Sequence, residues 1–290
     1  MSIDSKEIER YKINLIKKQD WLDCRRHLEA LDHLFKECSN AEEMRMLLEL
    51  MPHFTCTEET AYWTFYKNQA ENIVNDGAIT RDNCRIAPTT QDDIPDSSQH
   101  ICNPFRDMIK RRGGEDNIVK NLFSHVETFI ESTKEQNINI IILDDFIGSG
   151  NRIVGRIKRC RELVKGNTCI EVSNFKVISF VAMDTGKQYI EGHSTEVIAE
   201  YILKRGITDF FTEPELSIAK RSMLKMESLI FKNSNHKYSF GYEQSEALYA
   251  RIKLKTDNDI ELVRAQNNVF PIFWRRSYKD GRPRNTLLYR

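Results

Sequence analysis

The sequence lacks an excess of charge of either sign. Its 290 residues contain 43 lysines and arginines and 43 aspartates and glutamates, so the formal net charge is zero. Bulk electrostatics therefore predict no long-range attraction to nucleic acid or to an acidic membrane surface. Local patches of one sign remain compatible with this balance.

The sequence also lacks long apolar runs and paired cysteines. No stretch approaches the roughly 20 apolar residues that a membrane-spanning helix needs, and no signal peptide is recognisable at the start. The seven cysteines form no C-x-x-C pair and no zinc-ligand cluster with histidine, and their odd number is typical of reduced cysteines. We therefore expect a cytoplasmic protein without a membrane span.

Internal repeats and low-complexity tracts are absent as well, which is typical of one or two ordinary globular domains. Apolar residues at mixed spacings of three and four predict helices over most of the N-terminal quarter. The sequence thus predicts a helical module at residues 1–75. An α/β domain with an irregular or β-rich tail is predicted at residues 76–290.

The second region alternates between predicted strands and predicted helices. The strands are expected at residues 84–88, 138–143, 175–183 and 195–203, and the helices at residues 115–136, 151–165 and 213–231. The polar stretch between residues 89 and 114 is interpreted as the longest loop. This alternation predicts an α/β fold with a mainly parallel sheet, in which ligands bind beyond the carboxyl ends of the strands.

One motif lies at such a strand end. In INIIILDDFIGSGNR (residues 138–152), an apolar strand ends in Asp144 and Asp145, and a glycine-rich turn leads into a helix. Two adjacent carboxylates need cations or hydrogen-bond donors, which a sugar diol or a magnesium ion can supply. The turn leaves backbone N–H groups free at a helix N-terminus, where phosphate binds. The diol and the phosphate together suggest a ribose 5-phosphate.

The motif resembles the hallmark of type I phosphoribosyltransferases, in which an acidic pair precedes a Thr/Ser–Gly loop. The resemblance implies that Asp144 and Asp145 hold the ribose hydroxyls of phosphoribosyl diphosphate (PRPP). It also implies a phosphate cradle, formed by Gly148, Ser149, Gly150, Asn151 and Arg152. Two positions depart from the family pattern: Gly148 stands where some members have an aspartate used as a base, and Arg152 stands where threonine is common.

The same family has a diphosphate-binding loop and a basic lid. The resemblance implies that Ser97 and Ser98 present donors to the diphosphate, together with Mg²⁺ bound mainly through that diphosphate. Basic side chains between the first and the acidic strand suit the lid; they are Arg106, Lys110, Arg111 and Arg112. An ordinary polar loop and a solvated helix end are the alternatives for these two segments.

The C-terminal segments FGYEQSEALYA, NNVFPIFW and NTLLYR resemble the closing signatures of a phosphoribosyltransferase-like subfamily of bacterial conflict systems. These proteins occur beside antiphage components, including some retrons. The resemblance implies an effector that transfers a phosphoribosyl group or cleaves an N-glycosidic bond. Such an effector would need restraint by a partner, for example a reverse transcriptase and nucleic-acid complex.

Two alternatives to an enzyme remain open. A non-catalytic module would keep the pocket for nucleotide sensing, and Gly148 favours this reading. An interaction subunit would bind nucleic acid through the basic tail, where Trp274 and Tyr278 lie among cationic residues. Those residues are Arg264, Arg275, Arg276, Lys279, Arg282, Arg284 and Arg290. A folded tail with internally paired arginines is the competing interpretation.

Overall fold

The structure is a computed structural model, and it describes residues 5–80, 82–89, 97–111, 126–233, 236–256 and 259–290. Its helices are α1 (Ser5–Lys18), α2 (Arg25–Glu37), α3 (Ala41–Leu50), α4 (Glu59–Asn75), α5 (Ser97–Arg111), α6 (Val126–Ser132), α7 (Asn151–Gly166), α8 (Asp184–Glu191) and α9 (Glu215–Glu227). Its strands are β1 (Thr55–Glu58), β2 (Cys84–Pro88), β3 (Asn137–Ile147), β4 (Val172–Met183), β5 (Glu196–Leu203), β6 (Tyr249–Thr256) and β7 (Asp259–Arg264). None of the described helices is both long and apolar enough to cross a membrane.

The chain forms two compact units. One consists of Met1–Glu59 together with Leu203–Arg290, and the other of Thr60–Ile202. The predicted domains at residues 1–75 and 76–290 place the boundary elsewhere. Because compactness alone does not define a domain, that assignment stays a prediction.

The unit Thr60–Ile202 is built on a four-stranded parallel sheet with the strand order β2-β3-β4-β5. Strand β3 lies inside the sheet, and its run of isoleucine and leucine is buried on both faces. Its register pairs Leu143 with Pro88 of β2 and with Ile178 of β4. The predicted α/β fold with a mainly parallel sheet is therefore confirmed.

Helices cover both faces of this sheet. On one face, Ile140 packs with Phe129 of α6 and Ile157 of α7 in one buried cluster. On the other, the ring of Phe180 in β4 packs on α4, and its centroid lies 5.1 Å from that of Tyr62. The sheet is thus a middle layer, so a ligand can reach its strands at their carboxyl ends.

The other unit combines helices α1–α3 and α9 with the small sheet β1-β6-β7. Strand β1 is parallel to β6, and β6 is antiparallel to β7. Strand β1 lies in a region predicted to be helical. No local signal marks these four residues, because their partner strand lies almost 200 residues further along the chain.

The structure also corrects the predicted long loop between residues 89 and 114. Residues 97–111 form helix α5, and Ile101, Phe105 and Ile109 are buried along one side of it at a spacing of four. The rest of that stretch, except Thr89, lies outside the described residues. The helix predicted at 115–136 is confirmed for Val126–Ser132, and residues 115–125 are likewise outside the description.

Candidate functional site

The acidic pair lies at the carboxyl end of β3, as the sequence predicts. The strand continues two residues beyond the pair, to Ile147, before the chain turns into the loop that starts at Gly148. Asp144 is half-buried, and Asp145 is buried with 6% of its surface exposed. The two carboxylates therefore lie where a parallel sheet meets its ligands.

Thr89 holds the carboxylate of Asp144 in place from the neighbouring strand. This residue follows β2 directly and is buried, and its hydroxyl donates to Asp144 Oδ2 over 2.8 Å. The backbone N–H of Asp145 donates to the other oxygen, Oδ1, over 2.9 Å. Arg156 of α7 donates to the carbonyl of Pro88 and so fixes the end of β2 next to Thr89. Both oxygens of Asp144 are thus oriented by groups of this chain.

Tyr66 of α4 holds the main chain of the same aspartate. Its hydroxyl donates to the carbonyl of Asp144 over 2.6 Å and accepts from the N–H of Phe180 over 3.1 Å. Tyr66 is fully buried, and burial raises the pKa of its hydroxyl well above the ordinary value. The phenol therefore stays neutral and keeps both hydrogen bonds.

The glycine-rich loop is packed tightly against the first turn of α8. Gly150 has a φ of +79°, which a side chain rarely tolerates. A Cβ atom on Gly186 would lie 1.9 Å from the carbonyl oxygen of Gly148, and one on Gly150 would lie 2.8 Å from the carbonyl oxygen of Gly186. Backbone thus approaches backbone here, and only glycine permits it.

Helix α7 begins directly after this loop. The backbone N–H of Asn151 donates to the hydroxyl of Ser149 over 3.3 Å, and Asn151 and Arg152 are exposed at the start of the helix. Ser149 itself is half-buried. The segment predicted to form the cradle is a glycine turn that opens a 16-residue helix, and its binding of phosphate stays a prediction. Its N-terminus has the partial positive charge that attracts phosphate.

The end of β4 adds residues that sequence reasoning missed. Asp184 and Thr185 directly follow this strand and open α8, and they are half-buried and exposed, respectively. The side-chain amide of Gln188 donates to Asp184 Oδ2 over 3.0 Å. A recognisable signal existed, since MDTGK follows a predicted buried strand as DDFIGSG does. Thr89 and Tyr66 had no comparable signal.

The described residues that were predicted to bind a diphosphate belong to helix α5, and Arg112 lies outside the described residues. Ser97 and Ser98 start this helix rather than a loop, and their side chains lie outside the description. Arg106 is half-buried, whereas Lys110 and Arg111 are exposed in the last turn. The helix packs on β2 and β3. A role of these side chains toward a diphosphate stays a prediction.

The C-terminal tail is folded, which corrects one part of the nucleic-acid interpretation. Trp274 is buried, and its indole N–H donates to the carbonyl of Val269 over 2.8 Å, so its ring does not offer a face to a base. The buried guanidinium of Arg284 pairs with Glu37. Exposed cationic residues of the tail remain candidates for contact with a polyanion; they are Arg264, Arg276, Lys279, Arg282 and Arg290.

No cluster of three or more His, Cys, Asp or Glu side chains suited to a metal ion occurs among the described residues.

Comparison with known proteins gives one match over nearly the whole length. A family model described as PRTase-CE matches residues 2–290. Among solved structures, the AQ2163 protein from Aquifex aeolicus is 10% identical with a TM-score of 0.29, over 61% of this chain and 85% of that chain. A likeness at that TM-score carries no argument about fold or function. No protein with a curated description matches the chain.

Proposed function

Because the chain belongs to the PRTase-CE family of phosphoribosyltransferase-like conflict-system effectors, we propose that it binds PRPP or a nucleotide with the same ribose 5-phosphate. One observation carries the proposal: Asp144 and Asp145 lie at the carboxyl end of β3, and the loop from Gly148 leads from them into the N-terminus of α7. Carboxylates for a diol and backbone donors for a phosphate are thus adjacent in one chain segment.

Each part of the ligand has a physically suitable counterpart. The ribose hydroxyls would donate to the ionised pair, and each such charge-assisted bond contributes about 1.5–3 kcal/mol. The 5-phosphate would accept from N–H groups of the loop and of the first turn of α7, and Arg152 would add a positive charge. The hydroxyl of Ser149 lies in the same turn.

The reaction class that fits this site is displacement at the anomeric carbon. Either a phosphoribosyl group is transferred to an acceptor, or an N-glycosidic bond is cleaved. The transition state resembles an oxocarbenium ion, so the negative charge of Asp144 and Asp145 would stabilise the developing positive charge on the ribose. Orientation of the bound sugar would supply much of the remaining rate enhancement.

Magnesium fits this proposal as a companion of the ligand. The acidic pair supplies the oxygen donors that Mg²⁺ prefers, and the ligand's diphosphate would supply further ones. When bound, Mg²⁺ neutralises charge on the departing diphosphate. The cationic side chains of α5 would do the same from the protein; they are Arg106, Lys110 and Arg111.

The proposed biological role is antiphage defence. A chain that consumes PRPP or nucleotides would injure its own host, so its activity would require restraint by a partner. A reverse transcriptase and nucleic-acid complex, as in retrons, is one such partner. The exposed charges of α1 and of the tail, including Arg10 and Arg282, are the proposed contact surfaces.

A non-catalytic sensor is the second candidate, and one residue favours it. Gly148 carries no side chain that could act as acid or base. A sensor would bind the same ligands but would leave them chemically unchanged. Incubation with PRPP and a panel of nucleotides, followed by mass spectrometry of the products, separates the two functions.

The binding proposal is tested by replacing Asp144→Asn together with Asp145→Asn. We expect affinity for ribose 5-phosphate, measured by titration calorimetry, to fall at least about a hundredfold, because two charge-assisted bonds are weakened. The melting temperature should change little. The exposed Asp280→Asn is the matched control and should bind like the wild type. Retained affinity in the double variant, or no binding by the wild type, would refute the proposed site.

A further inference from the structure

The ladder between β3 and β4 is interrupted at the acidic pair. The carbonyl of Leu143 points to β2, where it accepts from the N–H of Thr89 over 3.0 Å. Consecutive residues of a strand alternate in direction, so the carbonyl of Asp144 points to β4. The register pairs Asp144 with Ser179, which places the N–H of Phe180 opposite this carbonyl. A regular parallel ladder would join these two groups directly.

The hydroxyl of Tyr66 lies between these two groups and bonds to both of them. It donates to the carbonyl of Asp144 over 2.6 Å and accepts from the N–H of Phe180 over 3.1 Å. The register then resumes with Phe146 opposite Val181. One side chain from α4 is thus inserted between two strands of the sheet, at the residue that begins the acidic pair.

The inserted ring is held by aromatic packing on several sides. Its centroid lies 5.0 Å from that of Tyr62, 5.1 Å from that of Phe65 and 6.2 Å from that of Phe105. Such contacts, together with complete burial, restrict the ring to one orientation. The position of its hydroxyl is therefore set by α4 and α5 rather than by the strands that it separates.

We propose that Tyr66 is a positioning residue, whose hydroxyl holds β3 and β4 apart so that the carboxylate of Asp144 is oriented for a ribose diol. The inference rests on the proposed function. Without this hydroxyl, Asp144 and Phe180 would either approach each other to bond directly or keep two buried groups unpaired. Either change shifts the main chain that carries the carboxylate, and small shifts at a binding group cost much of its effect.

The experiment compares Tyr66→Phe with the wild type, using two probes that differ by one hydroxyl. Ribose 5-phosphate offers the diol and the phosphate, whereas 2-deoxyribose 5-phosphate lacks the diol. We expect the wild type to prefer ribose 5-phosphate, and Tyr66→Phe to reduce this preference about tenfold, as for a displaced carboxylate. Affinity for 2-deoxyribose 5-phosphate should stay within about twofold, because the phosphate loop is unchanged.

The matched control is Tyr62→Phe, which removes a tyrosine hydroxyl from the same helix and the same aromatic cluster. It should leave the ribose preference unchanged. A rescue variant, Tyr66→p-aminophenylalanine, restores a donor at the ring position and should recover part of the preference. If the Tyr66→Phe variant does not fold, the rescue variant provides the test. A preference for ribose 5-phosphate that is closer to the wild-type value than to no preference supports the inference, and a preference closer to none overturns it.

The remaining outcomes separate the inference from the proposed function. Tyr66 has only a general structural role if Tyr66→Phe loses affinity for both probes equally, and this result overturns the inference. The inference is also overturned if Tyr62→Phe loses as much of the ribose preference as Tyr66→Phe does. An unchanged preference in Tyr66→Phe overturns it as well, while the binding proposal survives. If the wild type binds neither probe, the proposed function fails and the inference fails with it.

Discussion

The two compact units use buried carboxylates in different ways. In the unit that joins the N-terminal helices to the C-terminal tail, Glu246 accepts from the backbone N–H of Ile207 over 2.8 Å and so closes a turn. In the same unit, Glu37 of α2 accepts from Nε of Arg284 over 2.7 Å and attaches the tail to the helix. These carboxylates stabilise the fold, because chain segments far apart in sequence meet on them.

In the unit Thr60–Ile202, the acidic pair is placed differently. Asp144 is half-buried at the end of an inner strand, and its carboxylate is oriented by Thr89 and by the N–H of Asp145. A carboxylate so placed is held still while it lies at the edge where ligands bind. Burial and hydrogen bonding are therefore similar for the carboxylates of the two units. The proposed binding role of the acidic pair rests instead on its position at the carboxyl end of a parallel strand.

The largest expected effect concerns the structural ion pair between Glu37 and Arg284. Replacing Arg284→Leu leaves Glu37 buried without its guanidinium partner, which costs about 3–5 kcal/mol of unfolding free energy. The matched control is Arg282→Leu, two residues away, whose side chain is 74% exposed and pairs with Asp280. That control should change stability by less than about 1 kcal/mol. Denaturant unfolding of both variants measures the difference, and equal losses would contradict the assignment.

A second prediction concerns Glu227 of α9, a buried carboxylate of the same unit. Burial raises its pKa to about 7, although Ser239 and the N–H of Phe240 donate to it. Because the folded pKa lies above the unfolded one, the protonated group stabilises the fold fully below about pH 4.5, the usual glutamate range. This stabilisation is lost as the pH rises through 7.

The loss should be on the order of 3 kcal/mol for such a pKa difference. Glu227→Gln is the matched variant, because an amide of the same size does not titrate. Melting temperatures between pH 4.5 and 8 should fall more in the wild type than in the variant. Parallel curves for the two proteins would show that Glu227 keeps an ordinary pKa.

A third prediction concerns the glycine-rich loop that follows the acidic pair and packs against Gly186. In Gly186→Ala, a Cβ atom would meet the carbonyl oxygen of Gly148, so the glycine-rich loop must shift. We expect a loss of about 1–3 kcal/mol in stability, as for overpacking, together with weaker phosphate binding. Gly155→Ala is the control: its Cβ atom would have nothing within 4 Å, and helix α7 should gain about 0.5–1 kcal/mol. Similar effects of the two substitutions would contradict the tight loop packing.

The smallest expected effect concerns the exposed charges of the tail. If the restraining partner contains nucleic acid, then Lys279→Ala with Arg282→Ala should weaken binding and lower the slope of log affinity against log salt by about 1 per phosphate contact. Ribose 5-phosphate affinity should not change. An unchanged salt slope in this variant would exclude these two residues as phosphate contacts. Arg284→Leu is unsuitable for this test, since its guanidinium is buried against Glu37.

Local patterns in the sequence predicted most of the α/β unit. The run of Ile140 to Leu143 is typical of a strand buried on both faces, and β3 includes it. The helix predicted at residues 151–165 matches α7, because its glycine turn and apolar spacing are both local signals. Helix α5 was missed because Pro104 and many polar side chains obscured the apolar repeat of Ile101 and Phe105.

The sequence by itself determined that two aspartates end an apolar run and precede a glycine turn, since run, pair and turn are neighbours in one segment of 15 residues. Only the tertiary structure decided which groups hold that pair. Thr89 lies 55 positions and Tyr66 78 positions before Asp144, and each reaches it through the packing of a separate element. Hydrogen bonds between such distant residues depend on strand order and helix packing, which no local pattern of residues encodes.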